Sequence, residues 1–226
     1  MRIRIVTLAA CATLAAGGLA ACGGSSGNGI ASKSADEIVT ASGKAISHAK
    51  SVHVAGSISA SGVPLTLDLT LVNGTGGRGQ ISEGGLSFRL VDVGQTVYIQ
   101  GSQAFWQHFG GAAAARVING RWLKAPDTGQ FASLATLTNM QKLTGALLLT
   151  HGSLAKGGTS TVNGQRVVSV TDKSKGGTLY VATTGPAYPV ELKRTSGNGG
   201  QILFDKFNES VTLTPPANAI SLSSLG

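Results

Sequence analysis

The sequence predicts an α+β domain, a mostly antiparallel β-sheet with a few helices laid against one face. Three observations carry that prediction. From Ser51 onward apolar and polar residues alternate over most of the chain, the period of half-buried strands. The runs are punctuated by Asn73-Gly74 and Asn163-Gly164, residue pairs that accept the positive φ of tight hairpins. The alternation gives way to helical spacing at Ala35 to Ala49, about Ser102 to Ile118, and about Gln130 to Leu149.

The N-terminus reads as an export signal. Arg2 and Arg4 precede an apolar run from Ile3 to Leu19 that is too short for a membrane span. It closes on Leu19-Ala20-Ala21-Cys22, a lipobox: small residues suit the narrow groove of the signal peptidase, which cuts before the cysteine. The expected organisation is a signal peptide at 1–21, a lipidated Cys22 with a flexible tether through 33, and a single domain at 34–226. Palmitate-type acyl chains on the Cys22 sulfur add about 0.8 kcal/mol of membrane affinity per buried CH₂. The protein is therefore expected to be exported and held at the cell membrane by its lipid, facing the periplasm or the exterior. Cys11 leaves with the signal, so no disulfide is expected and stability must come from the core.

Gly23 to Gly29 has little side-chain bulk and reads as tether. It contains a G-x-S-x-G match, but a nucleophile elbow needs a strand before it and a helix after it, and neither is expected here. Ser34-Ala35-Asp36-Glu37 is a capping box that opens a helix, with Ile38, Ala41, Ser42, Ala45, Ile46 and Ala49 on one face. Strands follow: Val52, Val54 and Ile58, then Leu65, Leu67, Leu69 and Leu71, then Leu86, Phe88 and Leu90, then Val97 to Ile99. In the stretch Ser102 to Ile118, Phe105, Trp106 and Phe109 share a helical side, and Asn119-Gly120 reads as a left-handed helix end. Arg121 to Lys124 returns to strand and stops at Pro126. Asp127 with Gln130, and Thr138 with Gln141, read as two more capping boxes around short helices. A second set of strands, turned at Asn163-Gly164 and between Ser196 and Gly200, runs on before Pro215-Pro216.

Composition argues against several functions. The formal net charge is +8, and +6 once Arg2 and Arg4 are removed, but the basic residues are scattered rather than gathered into a nucleic-acid-binding patch. His48, His53, His108 and His151 show no metal-ligand spacing, and no glycine-rich loop leads into a helix with the Lys and Ser/Thr that hold phosphate. No catalytic residues, cofactor or metal are expected, and the chain is not expected to be an enzyme.

The order helix, meander, helical interruption, Trp strand, helical insert, second meander, following a lipobox, resembles the LolA-like superfamily. It resembles in particular the LppX/LprG-type actinobacterial envelope lipoproteins. The likeness is carried by Leu19 to Cys22, Ser51-Val52-His53, Val97-Tyr98-Ile99, Gly120-Arg121-Trp122, Thr178 to Val181, Tyr188-Pro189-Val190 and the stretch Phe207 to Pro215. The resemblance implies a curved antiparallel half-barrel with helices closing its concave face. It also implies a lipid or glycolipid ligand, held by its acyl chains in an apolar cavity between sheet and helices, and so a carrier of lipid across the envelope. An envelope sensor or interaction module with no transport role is the alternative, because stress sensors share the fold.

The expected lining takes the inward sheet positions and the apolar faces of the inserts: Leu67, Leu69, Phe88, Leu90, Val97, Ile99, Phe105, Trp106, Phe109, Leu137, Met140, Leu143 and Leu147. A slip of one residue in strand register would turn every strand position to the other face. With aromatic residues at 5% and 33 glycines, bulky filler for the interior is scarce. Leu, Val and Ala can still pack such a space solid, and the resemblance favours the cavity.

Overall fold

The computed structural model describes residues 27–60, 62–195 and 199–224. The export signal, the Cys22 lipobox and residues 23–26 of the expected tether lie outside the described residues.

Helix α1 (Ala35–Ser47) begins as its sequence dictates: the Ser34 hydroxyl accepts from the Glu37 amide while the Glu37 carboxylate accepts from the Ser34 amide. Its buried face holds Ile38, Val39, Ser42 and Ile46. The first meander follows as β1 (Ser51–Ala60), β2 (Val63–Val72), β3 (Gly76–Glu83), β4 (Leu86–Val93) and β5 (Thr96–Gly101). Helix α2 (Gln103–Ile118) then leads into β6 (Leu123–Pro126). A connection carrying α3 (Ala132–Thr138) and α4 (Met140–Leu148) precedes the second meander. That meander comprises β7 (Leu154–Val162), β8 (Gln165–Asp172), β9 (Gly177–Ala182), β10 (Pro189–Arg194) and β11 (Gly200–Asp205), and a two-residue strand β12 (Ile220–Ser221) ends the sheet.

These strands form one open, curved, twelve-stranded sheet in the order β12-β6-β5-β4-β3-β2-β1-β11-β10-β9-β8-β7. Every pairing is antiparallel except that of β12 with β6. The first meander grows from the centre to one edge, and the second starts at the opposite edge and works back until β11 pairs with β1. The link from β6 to β7 must therefore cross the whole width of the sheet, and it does so as helices α3 and α4. Topology alone thus roofs the concave face. The core lies beneath, where Val52, Val54, Leu67, Leu69, Leu71, Leu90, Val97 and Ile99 meet Ile38, Ile46, Met140 and Leu143 in one cluster.

Curvature demands close approach between backbones. At Gly56 (φ +146°) a Cβ would lie 2.0 Å from the Gln201 carbonyl oxygen on β11, which leaves room for glycine alone. On the opposite side from the core, His53 fastens the seam between the two meanders. Its Nδ1 lies 2.6 Å from Asp205 Oδ1 on β11 and its Nε2 lies 3.0 Å from Asp68 Oδ1 on β2.

The structure departs from the sequence reading in six places. Helix α2 is broken at Gly111 (φ 76°, ψ 176°), because the Gly110-Gly111 pair is a poor helix former. The Thr138–Gln141 capping box does not form. Asn139 caps α4 instead, its side chain accepting from the Lys142 amide, because the Thr138 hydroxyl is taken by Asp92. Around Asp127 and Gln130, the short helical turn Gly129–Phe131 is preceded by Thr128 with no side-chain cap. Trp122 precedes β6 rather than lying in it, and β12 was not foreseen.

The sixth difference lies in the expected tether, whose end is docked. The Asn28 amide donates to the Thr183 carbonyl at 2.7 Å, and its side chain donates to the carbonyls of Ala182 and Gly185 at 3.0 and 2.9 Å. Ile30 is buried beside it.

Candidate ligand cleft

The expected lining residues come together, with one exception, in the packed interior. Leu69, Leu90 and Val97 are fully enclosed, and Leu67, Ile99, Phe105, Trp106, Met140 and Leu143 belong to the same buried cluster. Phe88, Leu137 and Leu147 are half-buried against it. Phe109 stands apart at 66% exposure, although its ring still touches that of Phe105 at 4.7 Å. The helix breaks two residues beyond Phe109, and this part of α2 overhangs the sheet instead of lying on it.

The aromatic residues fill space rather than leave it. Phe105 packs against Phe88 at 4.9 Å and Trp106 at 5.0 Å between ring centres. A Cβ at Gly101 would lie 2.2 Å from the Phe105 ring, so the ring occupies the volume that a side chain on β5 would need. The Trp106 Nε1 is buried there without a hydrogen-bond partner.

The open space lies under the other half of the roof. A cleft of about 280 Å³ runs between the C-terminal end of α4, the side of α1, and strands β8, β9 and β10. Its walls are Val39, Ile58, Leu147, Leu148, Leu154, Val170, Leu179 and Leu192, and of the expected set only Leu147 is among them. His151, Asp172, Lys175 and Arg194 complete the lining.

Strand register orders these residues from deep to shallow. Val170, Leu179 and Leu192 form one row across β8, β9 and β10, and Asp172, Gly177 and Arg194 form the next row at the strand ends. The cleft is apolar within and polar at its mouth. Asp172 is engaged by the protein itself, accepting backbone N–H bonds from Gly152 at 2.9 Å, Ser174 at 2.8 Å and Lys175 at 2.9 Å. The Gly152 amide foremost, with those of Lys175 and Ser174, holds its carboxyl below the usual aspartate range. His151 Nδ1 lies 3.1 Å from the Gly152 carbonyl, and Lys175 Nζ donates to the Thr150 carbonyl at 3.5 Å.

Sequence reading missed this location for a physical reason. The alternation marks which residues face inward, but the gap depends on where the crossing helices stop short of the sheet, and no local period records that. The only local sign was an arginine, Arg194, at the inward position that follows Leu192.

Comparison with known proteins identifies the fold. The structure is similar to that of LprF from Mycobacterium bovis, with 17% identity and a TM-score of 0.57 over 81% of this chain and 97% of that one. It is also similar to the lipoprotein LppX from Mycobacterium tuberculosis, with 19% identity and a TM-score of 0.50 over 80% of this chain and 98% of that one. The likeness extends over about four-fifths of this chain and nearly all of the other two, so the chain shares the fold of LprF and LppX. No protein-family model matches the sequence, and no curated protein matches it.

Proposed function

We propose that this protein is an exported lipoprotein, tethered to a membrane through a lipid on Cys22, whose domain binds an amphiphile by its acyl chain in the cleft beneath α4. The observation that carries this reading is the cleft itself: an apolar row backed by further leucines and valines, opening through a polar rim, beside a packed core. Sites for small ligands are typically such concavities, apolar with a few convergent polar groups, and range from about 300 to 1,000 Å³. At about 280 Å³ the cleft matches one acyl chain rather than several.

Carriage follows from how such a site works. Burial of a chain among Leu147, Leu154, Val170, Leu179 and Leu192 draws on the hydrophobic effect at about 25 cal/mol per Å², which is non-directional and leaves release reversible. Among the described residues no helix is long and apolar enough to cross a membrane, and the proposed attachment is the lipid.

The test is to purify the full-length protein from membranes, extract it with organic solvent and analyse the extract by mass spectrometry. A stoichiometric non-covalent amphiphile is expected. Absence of any such molecule, together with no uptake of a fluorescent fatty-acid probe, would overturn the proposal.

A further inference from the structure

Resting on the reading that the cleft is a ligand site, we infer that it selects single-chain amphiphiles with an anionic head, a carboxylate or a phosphate, seated at Arg194. The charge comes first. Arg194 holds an inward position on β10, in the row immediately outside Leu179 and Leu192, where its neighbour across the ladder is Gly177. Its Cγ lies 3.9 Å from the place a Gly177 Cβ would occupy, so the arginine stem passes over the bare backbone of β9 at the mouth. The guanidinium has no carboxylate at ion-pair distance among the described residues.

A second cation shares the rim. Lys175 stands on the turn between β8 and β9 and lines the same mouth. The one carboxylate there, Asp172, is turned to the β8–β9 turn by three backbone N–H bonds, and its single negative charge offsets one of the two cations, leaving the rim net positive. A partly desolvated guanidinium favours carboxylate and phosphate oxygens, which it can take two at a time, over neutral hydroxyl heads. An amphiphile whose chain fills the apolar row places its first polar atoms in the Asp172–Gly177–Arg194 row, the next one out. The volume supplies the second half of the inference, since about 280 Å³ suits one acyl chain better than two or three.

The experiment uses full-length protein in detergent-free nanodiscs and displacement of a fluorescent fatty-acid probe. Competitors are palmitate, palmitoyl lysophosphatidylglycerol and monopalmitoylglycerol, so the two anionic sources are separated from each other and from a neutral head on the same chain. At least one anionic competitor should displace the probe about tenfold or more better than the neutral one, as a charge-assisted hydrogen bond allows. Arg194→Gln should remove that preference and leave monopalmitoylglycerol unchanged, and Lys175→Gln should reduce it. In wild type, raising salt should weaken the anionic competitor alone, a readout that needs no variant. Equal displacement by neutral and anionic heads, or equal loss of both in Arg194→Gln, would overturn the inference while leaving the binding function standing. No binding of any probe by wild type would overturn both.

Discussion

Thr138 donates its hydroxyl to Asp92 Oδ2 at 2.6 Å, and this bond is where the helical roof is fastened to the sheet. Thr138 ends α3 and Asp92 lies near the end of β4, so the contact closes a loop between residues 46 positions apart. Both side chains are buried. Burial pushes the Asp92 carboxyl above the usual aspartate range, the Thr138 bond pulls the other way, and the Asp127 charge adds to the rise.

The sign of the pH effect follows. Because the folded state holds the Asp92 proton more tightly than the unfolded chain does, this group's contribution to stability falls as pH rises above the ordinary aspartate value of 3.8, through its raised folded value. Asp92→Asn keeps an acceptor for Thr138 and carries no charge, so it should match or exceed wild type in thermal stability at neutral pH. The advantage should vanish in acid. Melting curves across pH check this; an Asn variant less stable than wild type only at neutral pH would reverse the assignment.

Thr138→Val should cost about 1–3 kcal/mol, because it leaves a buried carboxylate oxygen without its donor. Urea titration of the variant measures it. The loss should shrink when Asp92→Asn is combined with it, since the uncompensated group is then neutral.

The cleft and the packed interior should respond oppositely to a large side chain. Leu192→Trp extends into open space at the cleft, so the melting temperature should stay close to wild type while probe uptake is lost. Leu69→Trp enters a site with no exposure and should cost about 1–3 kcal/mol by overpacking. Equal destabilisation at the two positions would mean that the cleft is as full as the core.

Gly56→Ala should be among the most damaging small substitutions in the sheet. The added methyl would meet the Gln201 carbonyl in a region of φ that other residues avoid, and a cost of about 1–3 kcal/mol is expected. Chemical denaturation of the variant gives the figure, and a value within error of wild type would show that the seam between β1 and β11 can relax.

Cys22→Ala should abolish incorporation of radiolabelled palmitate in cells and either block signal cleavage or release the protein from membranes. Undiminished labelling of the variant would remove Cys22 as the lipidation site.

Much of the sheet was legible because its information is local. Leu65, Leu67, Leu69 and Leu71 alternate with polar residues, and Asn163-Gly164 turns β7 into β8 with both residues at positive φ (48° and 77°). The Ser34–Glu37 box marked its helix start to the residue for the same reason. What was not legible depended on partners far along the chain. Thr138 carries a cap-like signal, but Asp92, distant in sequence, takes its hydroxyl. Phe109 stands one helical turn beyond Phe105, and a stripe was the natural reading, yet the break at Gly111 leaves it projecting. Strand β12 is two residues long, too short to have a period. The cleft is the difference in coverage between two halves of a roof, a quantity no window of sequence contains.

The docking of Asn28 sets where a tether from the proposed anchor at Cys22 would join the domain relative to the mouth. Strand β9 begins at Gly177 in the mouth and ends at Ala182, whose carbonyl receives the Asn28 side chain, so entry of the chain and entry to the cleft sit at opposite ends of a six-residue strand. At about 3.3 Å per residue that is a separation of roughly 20 Å. The six steps from Cys22 to Asn28 reach at most about 20 Å when fully extended. The reach of the tether thus equals the span from docking point to mouth, so a domain held through Cys22 as proposed could turn its mouth toward the anchoring bilayer or away from it. Held this way, the anchor would be a mooring that leaves both sides within range of the mouth.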